Sequence, residues 1–287
     1  MEPQTRRKLL LVLLGVGAIG LGLYAILTFA AGNSKMKNKS GMGMHFPWGA
    51  KNSSNKSFNS FIRTAEYKQA VAKLSYAIHS ESESGTLSAN SLLNLNRLVI
   101  ELIKGEFLTK YKKSREQRRE VLSDLQAYFQ EYSRGVYECE DILESGLSQV
   151  LNDFDLDFEF YDEQYQKMCL ENPNFATLIN LNLERMKAEL SVSKRSTSVE
   201  KVLDMFKFQL EIADKFDFSS ISEIPVDLVV VLKQSYIGDL ASIKFGVEEE
   251  DLILNEEVLK DPRIEQLQKI IQAKLNYEQQ KLINFPY

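Results

Sequence analysis

Apolar positions along this chain follow two different rules. From Leu9 to Ala31 they run without interruption, LLLVLLGVGAIGLGLYAILTFAA, 23 residues with no charge. From about residue 58 onward they recur every three or four positions, the period of a helix with one buried face. Between the two lies a stretch with no period at all.

The uninterrupted run predicts a transmembrane helix, because about 20 apolar residues cover a bilayer core. A cleaved signal peptide fits less well. Its apolar region is normally about 7–15 residues long and ends in a small-x-small cleavage site, and Thr28-Phe29-Ala30 matches that poorly. The run also contains Gly15-Val16-Gly17-Ala18-Ile19-Gly20, a literal G-x-G-x-x-G. A dinucleotide site needs an amphipathic helix after those glycines and an acidic residue about 20 positions on. The sequence there is NSKMKNKS, which is basic. Gly15, Ala18, Gly22 and Ala25 share one helical face and form a candidate helix-packing surface, since small residues let membrane helices approach closely. Glycine is common in membrane helices in any case.

The periodic part predicts an all-α fold of about eight to ten helices, by ordinary helix lengths. Leu92, Leu95, Val99 and Leu102 place a helix over Ser88–Lys104, stopped at Gly105. Ser114-x-x-Gln117 reads as a capping box for a helix carrying Val121, Leu125, Phe129 and Tyr132. Tyr137–Leu151 reads as a further amphipathic helix, and Thr197-x-x-Glu200 as the start of another. Val226–Leu232 is rich in β-branched residues, but the Pro225 start and its neighbours favour a buried helix over a strand.

Leu170-Glu-Asn-Pro173-Asn-Phe175-Ala-Thr-Leu178 and Leu259-Lys-Asp-Pro262-Arg-Ile264-Glu-Gln-Leu267 share one pattern, 89 residues apart. Asn172 and Asp261 are expected N-caps, with Pro173 and Pro262 at the first helical position. The echo suggests two related helical units, 114–190 and 197–287; chance recurrence of Asx-Pro helix starts is the alternative. The expected organisation is a basic head over 1–8, the membrane helix over 9–31, a Gly/Ser/Asn/Lys-rich linker over 32–60 and a helical body over 61–287.

Charge sharpens this division. Residues 1–64 sum to +8 and residues 65–287 to −13, giving the chain's −5. A basic membrane-proximal part suits anionic headgroups. An acidic body disfavours nucleic acid, whose phosphates need a basic face. Orientation is undecided, because Arg6, Arg7 and Lys8 before the run are matched by Lys35, Lys37 and Lys39 after it.

Specific chemistry is sparse. Two cysteines, Cys139 and Cys169, are too few for a disulfide scaffold; two free buried thiols are expected, with one disulfide between them as the alternative. The acidic run Asp153–Glu163 lacks a calcium loop's sixth-position Gly and twelfth-position Glu, which here are Phe158 and Gln164. It reads instead as an acidic loop feeding a helix N-terminus. Phe46 and Trp48 form an isolated aromatic pair in the linker, suited to a bilayer interface or a partner. The sequons at Asn38, Asn52 and Asn55 lie there too. Lys110, Lys112, Lys113, Arg115, Arg118 and Arg119 form a candidate basic patch for headgroups or an acidic partner. The bland reading is a solvated helix face interleaved with Glu116 and Glu120.

No nucleotide, zinc-protease, serine-hydrolase or redox motif is present, so no catalytic residue, cofactor or metal is expected. The expected function is a non-catalytic accessory subunit of a larger membrane complex, with other subunits as partners and the bilayer contacted through 9–31. A kept N-terminal anchor, two cysteines and no retention signal fit the mitochondrial inner membrane; the sequons argue for the endomembrane system. A membrane-tethered adaptor for a soluble partner is the second reading. An enzyme with an unfamiliar all-α site near His79 or Tyr137 is the third.

Overall fold

The computed structural model describes residues 61–190, 197–215, 226–253 and 255–284. The apolar run Leu9–Ala31 expected to cross a membrane, with Gly15, Ala18, Gly22 and Ala25, and the aromatics Phe46 and Trp48 lie outside the described residues. Within them the fold is all-helical, and no helix is long and apolar enough to cross a membrane.

Ten helices follow one another among the described residues: α1 (Ala65–Glu83), α2 (Ala89–Glu120), α3 (Leu125–Asp153), α4 (Phe158–Glu171), α5 (Pro173–Ala188), α6 (Val199–Lys215), α7 (Val226–Phe245), α8 (Glu249–Ile253), α9 (Glu256–Leu259) and α10 (Pro262–Asn284). The long pair α2 and α3 forms the backbone of the first half, with α1 and α5 on α2 and α4 on α5. Its core includes Tyr67, Ile78, Leu92, Leu95, Ile103, Phe107, Val150, Phe175 and Ile179. The second half packs α6, α7 and α10 together around Val202, Phe206, Ala241, Ile264 and Ile271.

Two glycines set how closely α3 approaches α2. A Cβ at Gly146 would lie 2.2 Å from Ile103 Cγ2, and one at Gly135 would lie 1.7 Å from Ser114 Oγ. Real Cβ atoms do not tolerate such distances, so both positions require hydrogen.

Helix starts follow the capping rules. Asn172 Oδ1 accepts from Asn174 N, with Pro173 opening α5. Asp261 Oδ1 accepts from Arg263 N, with Pro262 opening α10. The Asx-Pro readings hold at both sites, and Val226–Leu232 is helical, as its proline start implied. The acidic run feeds α4, where Asp157 Oδ1 accepts from Glu159 N and Phe160 N.

Four boundaries differ from the sequence reading. Helix α2 does not stop at Gly105; it continues to Glu120, and Gly105 sits exposed on it. Ser114 opens no helix, because it lies inside α2 on the buried stripe Phe107, Tyr111, Ser114, Arg118. The break comes at 121–124, and Asp124 caps α3 by accepting from Ala127 N, so Tyr137–Leu151 is only part of a longer helix. At α6 the cap is Ser198 rather than Thr197: its Oγ accepts from Lys201 N.

Candidate functional site

The two halves meet along one seam, and the α2 basic run supplies its charge. From Leu232 to Asp239 every residue of α7 is buried, so this helix has no outward face at its centre. Asp239 is therefore enclosed, and it accepts four hydrogen bonds. Arg118 Nε donates to Oδ2 at 2.5 Å and Nη2 to Oδ1 at 3.3 Å. Arg119 Nε donates to Oδ1 at 2.8 Å, and the Tyr128 hydroxyl donates to Oδ2 at 2.8 Å.

Arg119 also forms a two-pronged pair with Glu248, both contacts 2.8 Å. Arg115 Nη1 donates to Glu250 Oε1 at 2.6 Å. Planar guanidinium forks suit this paired geometry, which a lysine ammonium cannot reproduce. Tyr128 and Tyr236 meet edge to face at 5.0 Å, and the Tyr236 hydroxyl donates to the Leu122 carbonyl at 2.9 Å.

The electrostatics are coherent. Burial alone would raise the Asp239 carboxyl, but Arg118 and Arg119 outweigh it and hold it below the ordinary carboxylate value. Glu248 is likewise raised by burial and lowered more by Arg119 and Arg115. Burial opposes charge on Arg118, yet Asp239 keeps it firmly protonated.

A second buried pair lies beside the seam. Lys187 on α5, 1% exposed, donates to Glu184 Oε1 at 2.9 Å, and its ammonium lies 5.1 Å from the Tyr111 ring centre. Burial raises the Glu184 carboxyl in spite of Lys187. The second oxygens of Glu184 and Glu250 are buried without a hydrogen-bond partner.

Between these groups is a cavity of about 30 Å³. Tyr111, Ser114 and Arg118 of α2 line one side, and Tyr132, Gly135, Val136 and Cys139 of α3 line the other. Lys187 of α5 and Ser235 of α7 complete it. Both cysteines are free; burial pushes the Cys139 thiol up to about 12 and the Cys169 thiol up to about 11, so neither is a ready nucleophile at neutral pH.

The candidate basic patch is thus divided. Arg115, Arg118 and Arg119 turn inward, whereas Lys112 and Lys113 are exposed and Lys110 lies 3.5 Å from Glu138. His79 and Tyr137 do not meet. His79 is exposed beside Glu83 at 3.2 Å, Tyr137 is 49% exposed, and neither lines the cavity. No group of three or more metal-ligating side chains occurs among the described residues. The acidic partners Asp239, Glu248 and Glu250 belong to no motif in the sequence. For Asp239 alone there is a signal, an Asp and a Lys inside the most apolar helix among the described residues, since buried charges are normally paired.

Comparison with protein-family models, with curated proteins and with solved structures gives no match.

Proposed function

We propose that this chain is a non-catalytic accessory subunit of a larger membrane protein complex, tethered through Leu9–Ala31, with the mitochondrial inner membrane as its setting. The observation that carries this reading is the inward turn of the α2 arginines. Arg115, Arg118 and Arg119 join the two halves of the body instead of standing on its surface. Such a body suits a rigid packing element on the end of an apolar run. Ile62 and Leu170, 87% and 85% exposed, supply apolar contact points for neighbouring subunits.

The same exposed positions support a second reading, a membrane-tethered helical adaptor that holds a soluble partner transiently. Native mass measurement of the full chain purified from membranes in mild detergent separates the two. A subunit runs in an assembly well above its own 32.9 kDa with constant partners; an adaptor loses its partner on washing. A monomer with no co-purifying protein overturns the subunit reading. Gly22→Ile is expected to weaken assembly where the Gly15/Ala18/Gly22/Ala25 face meets a neighbouring helix. Unchanged co-purification would leave that run as a lipid-facing tether.

A further inference from the structure

The cavity at the meeting of α2, α3, α5 and α7 has an unusual wall. Two cationic residues line it, Arg118 and Lys187, with four that carry hydroxyls, Tyr111, Ser114, Tyr132 and Ser235. No carboxylate is on the lining. Asp239 and Glu184 engage the two cations from outside it, and Glu140, buried on α3 next to Cys139, is also off the lining. Ser235 is 1% exposed, and its Oγ makes no hydrogen bond of good geometry within the fold; the Tyr132 hydroxyl is its polar neighbour.

Size and polarity together narrow the occupant. A buried space needs only about 10–15 Å³ to hold one water, so about 30 Å³ admits one or two waters or a single small ion. The hydroxyls can take protons from water as well as give them, but neither the guanidinium nor the ammonium can accept one, so water can turn only its oxygen to the two cations. A small anion accepts from every direction, so it can take donors from both cations and from the hydroxyls at once, beside the Asp239 and Glu184 carboxylates that already pair with those cations.

We propose that this cavity is a binding site for one chloride-sized monovalent anion, held by Lys187 and Arg118 with the Ser114 and Ser235 hydroxyls donating to it. The anion would tie α2 and α3 to α5 and α7, and so join the two halves beside the arginine seam.

The test uses the full chain in detergent, with sodium chloride exchanged for sodium gluconate at constant ionic strength. An anion bound only by the folded state raises the melting temperature as its concentration rises. A rise of about 100-fold in chloride is expected to add a few degrees. Ser235→Ala should weaken apparent chloride affinity about tenfold, the loss of one hydrogen bond to a charged group. Glu184→Gln should tighten it by removing the competing carboxylate behind Lys187. Lys113→Met, on the exposed face of α2, should respond like the parent and exclude a general screening effect. Lys187→Met should abolish the response; if that variant does not fold, the opposite shifts of Ser235→Ala and Glu184→Gln decide. Bromide should give anomalous density at the same place in crystals. Equal melting in chloride and gluconate, or water alone in the cavity, overturns the proposal.

Discussion

Arg118 and Asp239 are 121 residues apart in the chain and 2.5 Å apart in the fold, with Arg118 Nε donating to Asp239 Oδ2. Both side chains are almost fully buried, at 7% and 3% exposure. Their contact fastens the first half of the body to the second. Removing one member of such a pair leaves the other buried and uncompensated, which costs about 3–5 kcal/mol. Asp239→Asn is expected to lower the free energy of unfolding by that amount, read from urea denaturation of the full chain in detergent. A loss below about 1 kcal/mol would contradict the placement of Asp239 at the centre of the seam.

The α2–α3 approach predicts opposite effects for two glycine-to-alanine changes. Gly135→Ala drives a methyl into Ser114 and should cost on the order of 2 kcal/mol, the range for overpacking a close contact. A second change, Ser114→Gly, should restore part of the loss by clearing the obstructing side chain. Gly105→Ala meets nothing within 4 Å on an exposed helix surface, and should stabilise by about 0.5–1 kcal/mol. Melting curves of the three variants check the pair.

How much of this was readable beforehand depended on range. Local rules found both Asx-Pro helix starts and the helical state of Val226–Leu232, because capping and proline placement act within a few residues. The end of α2 is not legible locally, because Gly105 and Ser114 carry boundary signals that tertiary packing overrides. The stripe Phe107, Tyr111, Ser114, Arg118 runs through them at helical spacing and was the stronger cue. The basic run was legible as a cluster but not as a seam. Whether an arginine faces water or an aspartate depends on what the chain brings to it from Asp239, Glu248 and Glu250, and no local pattern encodes that. Of the cavity lining, only Arg118 was among the candidate residues.

Two carboxyls should give the stability–pH profile opposite slopes. Asp239 is held below its ordinary value, so its contribution is present at neutral pH and is lost as pH falls through its folded value. Glu184 is held above its ordinary value, so the folded state binds the extra proton. Between the ordinary and the raised value, stability falls as pH rises. Glu184→Gln should remove that mild decline and leave the acid limb in place. Asp239→Asn should flatten the acid limb. Melting temperature against pH in chloride-free buffer distinguishes them, and parallel curves for all three proteins would refute the assignment.

Helix entry offers a local control. Asp157 satisfies two backbone N–H groups at the start of α4, from Glu159 and Phe160. Asp157→Ala is expected to cost about 1 kcal/mol. Asp157→Ser should recover most of it, because a hydroxyl also caps. The effect should add to that of Asp239→Asn, since sites that share no partner behave independently.

The enclosed centre of α7 is covered only when both halves of the body are in place around it. Arg115, Arg118 and Arg119 are synthesised long before Asp239, Glu248 and Glu250. Throughout that interval they stand without the acidic partners that later cover them. The basic cluster written in the sequence is thus balanced only by residues that come more than a hundred positions later in the chain.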